Sequence, residues 1–210
     1  MIQQKRQMKL LEIMLWIIGA TLIALFVGAQ AWGEIERQRG VASFVQAQQL
    51  AMANDTVRAQ PAADPLAGIG QHRWESPADE VLAILRIPGI ALEVPVTYGT
   101  DELVLLSGAG LVEGTGLPGS NGNVAIAAHR DTFFRGLKDL ALGDHIQLVM
   151  LDRTQTYIVT DLSVVEPTDV HVLDDTGEPV LTLVTCYPFY FVGNAPKRFI
   201  VRAVAAEASI

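Results

Sequence analysis

The sequence predicts a mainly β protein: a closed or nearly closed barrel of about eight strands with one or two short helices, preceded by an N-terminal transmembrane helix. Three observations lead there. Eight short apolar, mostly alternating runs lie between Val81 and Ala205, Gly- and Pro-bearing breaks separate them, and a charge-free apolar segment sits near the N-terminus. Many short strands with few helices imply a barrel rather than a parallel α/β sheet.

Taken in order, Met1 to Lys9 carries Lys5, Arg6 and Lys9 with no acid, and Ile13 to Ala29 then runs for seventeen residues without a charge. At about 1.5 Å per residue this run spans roughly 25 Å of hydrocarbon. Basic residues ahead of it keep the N-terminus in the cytoplasm, so everything after Ala31 is expected outside, in the periplasm or at the cell exterior. The alternative is a cleaved signal peptide, since Ala29-Gln30-Ala31 fits a small-x-small site. The apolar core of such a peptide is about seven to fifteen residues, shorter than this one, which favours an uncleaved anchor. Residues 1–31 are therefore read as cytoplasmic tip and anchor. Residues 32–78 are stalk and linker: Gly33 to Gln60 holds only a weak stripe at Val41, Phe44 and Val45 with no evident core, and Pro61, Pro65, Gly68, Gly70 and Pro77 interrupt any apolar period between Pro61 and Pro77. Residues 79–210 are the barrel.

The expected strands are VLAILRI, LEVPVTY, GLVEGT, NVAIAAH, HIQLVML, QTYIVTDLSVV, VLTLVTC and RFIVRAVA, divided by Pro88-Gly89, Gly116 to Gly122, Gly143-Asp144, Asp152-Arg153 and Asp174 to Gly177. Asp101 to Ser107 and Thr132 to Leu140 are the expected helices. Asp131, just ahead of the second, is expected to be a turn or helix-capping residue rather than the third member of a catalytic triad.

Composition bounds the chemistry. A formal net charge of −8 over 210 residues, with no basic stripe, argues against nucleic acid as a partner. The single cysteine excludes an internal disulfide and a multi-cysteine zinc site. It is either an inert buried thiol or a reactive one.

Period-two alternation separates these alternatives. In VLTLVTC, Leu181, Leu183 and Thr185 share one face and Thr182, Val184 and Cys186 the other; in the last strand Arg198, Ile200 and Arg202 oppose Phe199, Val201 and Ala203. If these strands are antiparallel neighbours, Cys186 and Arg198 meet at one sheet edge, away from the apolar face. In NVAIAAH, Val124 and Ile126 face one way and Ala125, Ala127 and His129 the other, so small residues beside His129 leave room for a substrate backbone. A thiol, an imidazole and a guanidinium at three strand ends suit acyl transfer, as nucleophile, proton donor to a leaving amine and donor to a developing oxyanion.

These residues carry a resemblance. TLVTC followed twelve residues later by Arg198 in KRFIVRA, and preceded by AAHRDTFFRGLKDL, is similar to the sortases, cysteine transpeptidases that anchor proteins to bacterial surfaces. HRDTFF resembles class D sortases and those of Gram-negative bacteria more than class A. The resemblance covers roughly Val81 to Ala206 and implies Cys186 as nucleophile, His129 as general acid and Arg198 as the oxyanion-side residue. It further implies a sortase-type barrel that uses no cofactor and acts on an exported protein with an LPxTG-like C-terminal sorting signal, passed to an amino acceptor. Thr185, Ala127 and Tyr187 are the candidate substrate contacts.

The other histidines read as surface residues: His72 in the linker, His145 beside Gln147 on a solvent face, and His171 in an acidic connection. Arg202, about 13 Å along the strand from Arg198 at roughly 3.3 Å per residue, reads as a solvated charge. Tyr187, Phe189, Tyr190 and Phe191 are either core or a lip shielding an acyl-enzyme from water. Glu166, Asp169, Asp174, Asp175 and Glu178 occupy a position where some class A sortases hold calcium, but their spacing is that of a solvated loop, and no metal is expected. Caspase-like proteases also place a histidine about 50 residues before the cysteine, yet QAC-x-G is absent. Papain-like enzymes need a later histidine, and none follows Cys186. The remaining rivals are a cysteine endopeptidase that hydrolyses without transfer and a non-enzymatic tethered β-domain that binds exported proteins.

Overall fold

The structure, a computed structural model, describes residues 2–55, 81–191 and 193–206. The linker Pro61 to Pro77, with His72 in it, lies outside the described residues.

Alternating apolar residues make each strand two-faced, and the inner faces meet in one core. Strands β1 (Val81–Ile87) and β2 (Leu92–Tyr98) pair antiparallel around a 3₁₀ turn at Pro88–Ile90. Next come β3 (Ala109–Leu111), parallel to β2, and β4 (Asn123–Ala127), antiparallel to β3. The remaining strands are β5 (His145–Val149), β6 (Thr154–Val165), β7 (Val180–Tyr187) and β8 (Lys197–Ala205). The order around the barrel is β1-β2-β3-β4-β7-β8-β6-β5, and β5 pairs with β1 to close it, which leaves no unpaired edge. Leu85, Ile126, Leu148, Leu183 and Val201 fill the interior and are fully buried.

A parallel β2–β3 pair needs a crossover. Helix α2 (Glu102–Ser107) supplies it, where a helix was expected; Asp101 Oδ1 caps it by accepting from the backbone N–H groups of Leu103 and Val104. Beside it β3 approaches β2 so closely that a Cβ on Gly110 would lie 2.0 Å from the Gly99 carbonyl oxygen. The expected strand GLVEGT is shorter than read, because its ladder ends at Leu111 and Gly114 turns the chain at φ 82°.

The segment after β4 differs from expectation. Phe133–Asp139 is a 3₁₀ helix, its N-cap is Thr132 with no side-chain cap hydrogen bond, and Asp131 is exposed in the preceding turn, so of the two roles read for Asp131 the turn holds and the cap is corrected. The reason is packing: Phe134, Leu137 and Leu140 recur every third residue and are 0%, 0% and 7% exposed, a spacing that suits three residues per turn.

A long helix, α1 (Ile2–Asp55), contains the Ile13 to Ala29 run. Two compact units divide the chain, Met1–Gln38 and Arg39–Ile210. In the first, the large apolar side chains Trp16, Ile23 and Phe26 are exposed. Among the described residues no helix is long and apolar enough to cross a membrane. In the second, the stripe read as contributing no core does contribute: Phe44 is buried against Ile84 and Val149, with Val41 and Val81 around it, and Gln48 Nε2 donates to the Met150 carbonyl at 2.9 Å. Those contacts join residues far apart in sequence, so the weak local stripe concealed them.

Candidate active site

The β7–β8 ladder sets two of the three functional groups. The strands are antiparallel and Cys186 stands directly opposite Arg198. Cross-strand partners lie on the same face with Cβ atoms about 4.5–5.5 Å apart. Leu181, Leu183, Val201 and Ala203 belong to the interior cluster, so the thiol and guanidinium face outward from the barrel. The thiol is half-buried, as is Arg198.

Strand β4 brings the third. It runs parallel to β7 with Ala127 paired to Val184, and Ala128 N–H donates to the Val184 carbonyl at 3.3 Å. Continuing that register by two residues sets His129 level with Cys186 on the same outward face. The imidazole is half-buried; its Nε2 lies 4.0 Å from Glu102 Oε1, an acid that α2 presents and that sequence patterning did not single out. Glu102 is largely solvated, so this pair orients weakly.

The candidate substrate contacts divide. Ala127 is half-buried on the outward side, and Tyr187 is half-buried next to the thiol. Thr185 is corrected: it is 2% exposed and its hydroxyl donates to the Ala128 carbonyl at 2.8 Å. Its parity places it on the opposite face from Cys186, where it clasps the histidine-bearing segment to the nucleophile strand. A second buried clasp at the other end of the same strand pair joins Thr182 Oγ1 to Asn123 Oδ1 at 2.7 Å.

Arg198 donates from Nη1 to the Lys197 carbonyl at 3.0 Å and the Ala195 carbonyl at 3.4 Å. Among the described residues Nε and Nη2 have no protein acceptor, which leaves those donors available. Arg202 is not the solvated charge expected: it is half-buried, and its Nη2 donates to the Val172 carbonyl at 3.3 Å. His145 and His171 are exposed, and His171 pairs with Asp169. Glu166 pairs with Lys197, and Asp175 accepts from Gly177 N–H. Among the described residues no three His, Cys, Asp or Glu side chains are gathered as a metal site.

The aromatic residues after Cys186 divide between packed and exposed rings. Phe189 packs edge-on against Phe199 at 5.2 Å between centroids, and Tyr187 stacks on Phe199 at 6.3 Å. Tyr190 and Phe191 are 74% and 45% exposed. Inner rings anchor the loop, and outer rings line its surface.

A sortase-domain family model matches residues 85–206. The chain is 39% identical over 119 residues to Sortase D of Bacillus subtilis, covering 56% of this chain and 60% of that protein's length. Among solved structures, a sortase D5 transpeptidase of Clostridium perfringens superposes with a TM-score of 0.59 at 25% identity, covering 77% of this chain and 99% of the other. A sortase C of Clostridium perfringens, solved with the C-terminal cell wall sorting motif, gives 0.56 at 30% identity over 66% and 80% of the two chains. The resemblance read from TLVTC, Arg198 and HRDTFF thus has independent support, its class D character is consistent with the two sortase D relatives, and the chain belongs to the sortase family.

Proposed function

We propose that this protein is a membrane-anchored cysteine transpeptidase. Cys186 attacks the threonine carbonyl of an LPxTG-like sorting signal as the thiolate, and Arg198 donates hydrogen bonds to the oxyanion that forms. The imidazolium of His129 protonates the departing amine as the C–N bond breaks, leaving a thioester on Cys186. An acceptor amine then attacks the thioester, returns a proton to His129 and regenerates the thiolate. The observation that carries this reading is the direct pairing of Cys186 with Arg198 on the outward barrel face, with the His129 segment clasped to the adjoining residue. The sorting motif seen with the Clostridium perfringens sortase C supports a peptide of that class as substrate.

We further infer that residues 1–31 anchor the chain in the inner membrane of a Gram-negative envelope with the barrel outside. Exposed apolar side chains along α1, among them Ile13, Trp16, Ile23, Phe26 and Val27, support that reading, as do the lysines and arginine before them.

Incubation with a fluorogenic sorting peptide and an amine acceptor tests the chemistry. Wild type is expected to release the C-terminal fragment and form the amide, and an alkylating reagent to label Cys186 and stop both. Cys186→Ala and His129→Ala are expected to abolish turnover, and His145→Ala to preserve it. Hydrolysis without amide formation would indicate an endopeptidase, and peptide binding with an inert thiol a tethered binding domain. Turnover by Cys186→Ala would exclude thioester chemistry. Recovery of a soluble protein beginning at Trp32 would overturn the anchor.

A further inference from the structure

We propose that Arg130 is a positioning residue that clamps the β7–β8 connection into a wall beside Cys186, and that this wall decides whether the acyl-enzyme goes to an amine or to water. The inference rests on the acyl-transfer reading above.

The connection leaves β7 after Tyr187, one residue beyond Cys186, and enters β8 at Lys197, one residue before Arg198. Whatever holds it therefore governs the surroundings of both groups. Phe189 anchors its first part on Phe199, but beyond that point Tyr190 and Phe191 are exposed and give no apolar anchor. Among the described residues, no backbone hydrogen bond within the connection satisfies the carbonyls of Pro188, Phe191 and Gly193. Arg130 satisfies all three: Nη1 donates to Pro188 at 3.1 Å, and Nη2 to Phe191 at 2.7 Å and Gly193 at 2.9 Å. Its guanidinium also lies 5.8 Å from the Phe191 ring centroid, and Arg135, from the 3₁₀ helix after β4, lies 5.4 Å from that of Tyr190. Two arginines of one segment thus grip two successive rings of the other.

Arg130 is the residue after His129, so one peptide unit carries both the imidazole and the clamp. The loop is tied to the proton donor as well as to the nucleophile. A planar fork that reaches three carbonyls from two nitrogens cannot be reproduced by an ammonium. On this proposal the exposed rings held by Arg130 and Arg135 screen the thioester from water while leaving the acceptor a path to it.

The test compares wild type, Arg130→Lys and Arg130→Gln, measuring hydrolysed against transferred product with the sorting peptide at fixed acceptor concentration. This ratio does not depend on how much enzyme is folded. It is expected to rise about tenfold in both variants, a change of about 1.4 kcal/mol between the competing barriers. Chymotrypsin, which cuts after aromatic residues, is expected to nick both variants at Tyr190 or Phe191 faster than wild type. An unchanged ratio in both variants, with or without faster nicking, would overturn the proposal, because Arg130 would then be a stabiliser of a surface loop. Rescue of the wild-type ratio by Arg130→Lys would also overturn it, since charge alone would suffice. Absence of Cys186-dependent turnover in the wild type would instead sink the acyl-transfer reading, and the nicking rates would then decide the clamp alone.

Discussion

Thr185→Val removes one hydroxyl and nearly nothing else. The side chain is 2% exposed and its Oγ1 donates to the Ala128 carbonyl at 2.8 Å, so valine fills the same space and leaves that carbonyl without its side-chain donor. Leaving a buried polar group unsatisfied costs about 1–3 kcal/mol. For a domain of this size each kcal/mol moves Tm by roughly 2–4 °C, so a fall of about 2–12 °C is expected by thermal melt. The clasp also ties the backbone just before His129 to the residue just before Cys186, so kcat should fall beyond the loss of folded protein, by about tenfold for a misplaced proton donor. Thr185→Ser, which keeps the donor, should recover most of kcat while losing some packing. A Thr185→Val variant with wild-type Tm and kcat would refute the reasoning, because the hydroxyl would then be neither satisfying a buried acceptor nor holding the two segments together.

Arg198→Lys keeps the charge but loses the planar fork; removing such a donor typically costs about 10² to 10³ in kcat. Steady-state kinetics showing near-normal kcat with a lowered Tm would reassign Arg198 to holding the loop. Arg202→Lys, on the same face but reaching only the Val172 carbonyl, should leave kcat near wild type and shift Tm slightly. Phe44→Ala should destabilise the second compact unit by up to about 3 kcal/mol, at or below the low end for buried aromatics because the cluster lies outside the barrel interior. A truncation starting at residue 39 should accordingly melt higher than one starting at residue 61, and equal melting temperatures would show the helix contributes nothing. Gly110→Ala forces a Cβ to 2.0 Å from a backbone oxygen, so loss of soluble folded protein is expected, and an unchanged Tm would contradict the close β2–β3 approach.

The sequence by itself determined which residues share a face. Side chains alternate with period two along any strand, so the outward grouping of Cys186 with Val184, of Arg198 with Ile200 and of His129 with Ala127 needed no knowledge of partners. The barrel class was legible for the same reason: apolar runs and their Gly and Pro breaks are local signals. What only the tertiary structure decided is who stands next to whom. Thr185 already read as facing away from Cys186, but its partner, the Ala128 carbonyl in the segment just after β4, could not be read from the strand pattern. The 3₁₀ form after β4 follows from burial of Phe134 and Leu137 in the barrel, against which local propensity and a nearby aspartate carry little weight. The burial of Phe44, the approach of Glu102 to His129 and the reach of Arg130 across the β7–β8 connection join residues far apart in sequence. Such pairings have no local period to announce them; they exist only because closing the barrel brings those segments to the same place.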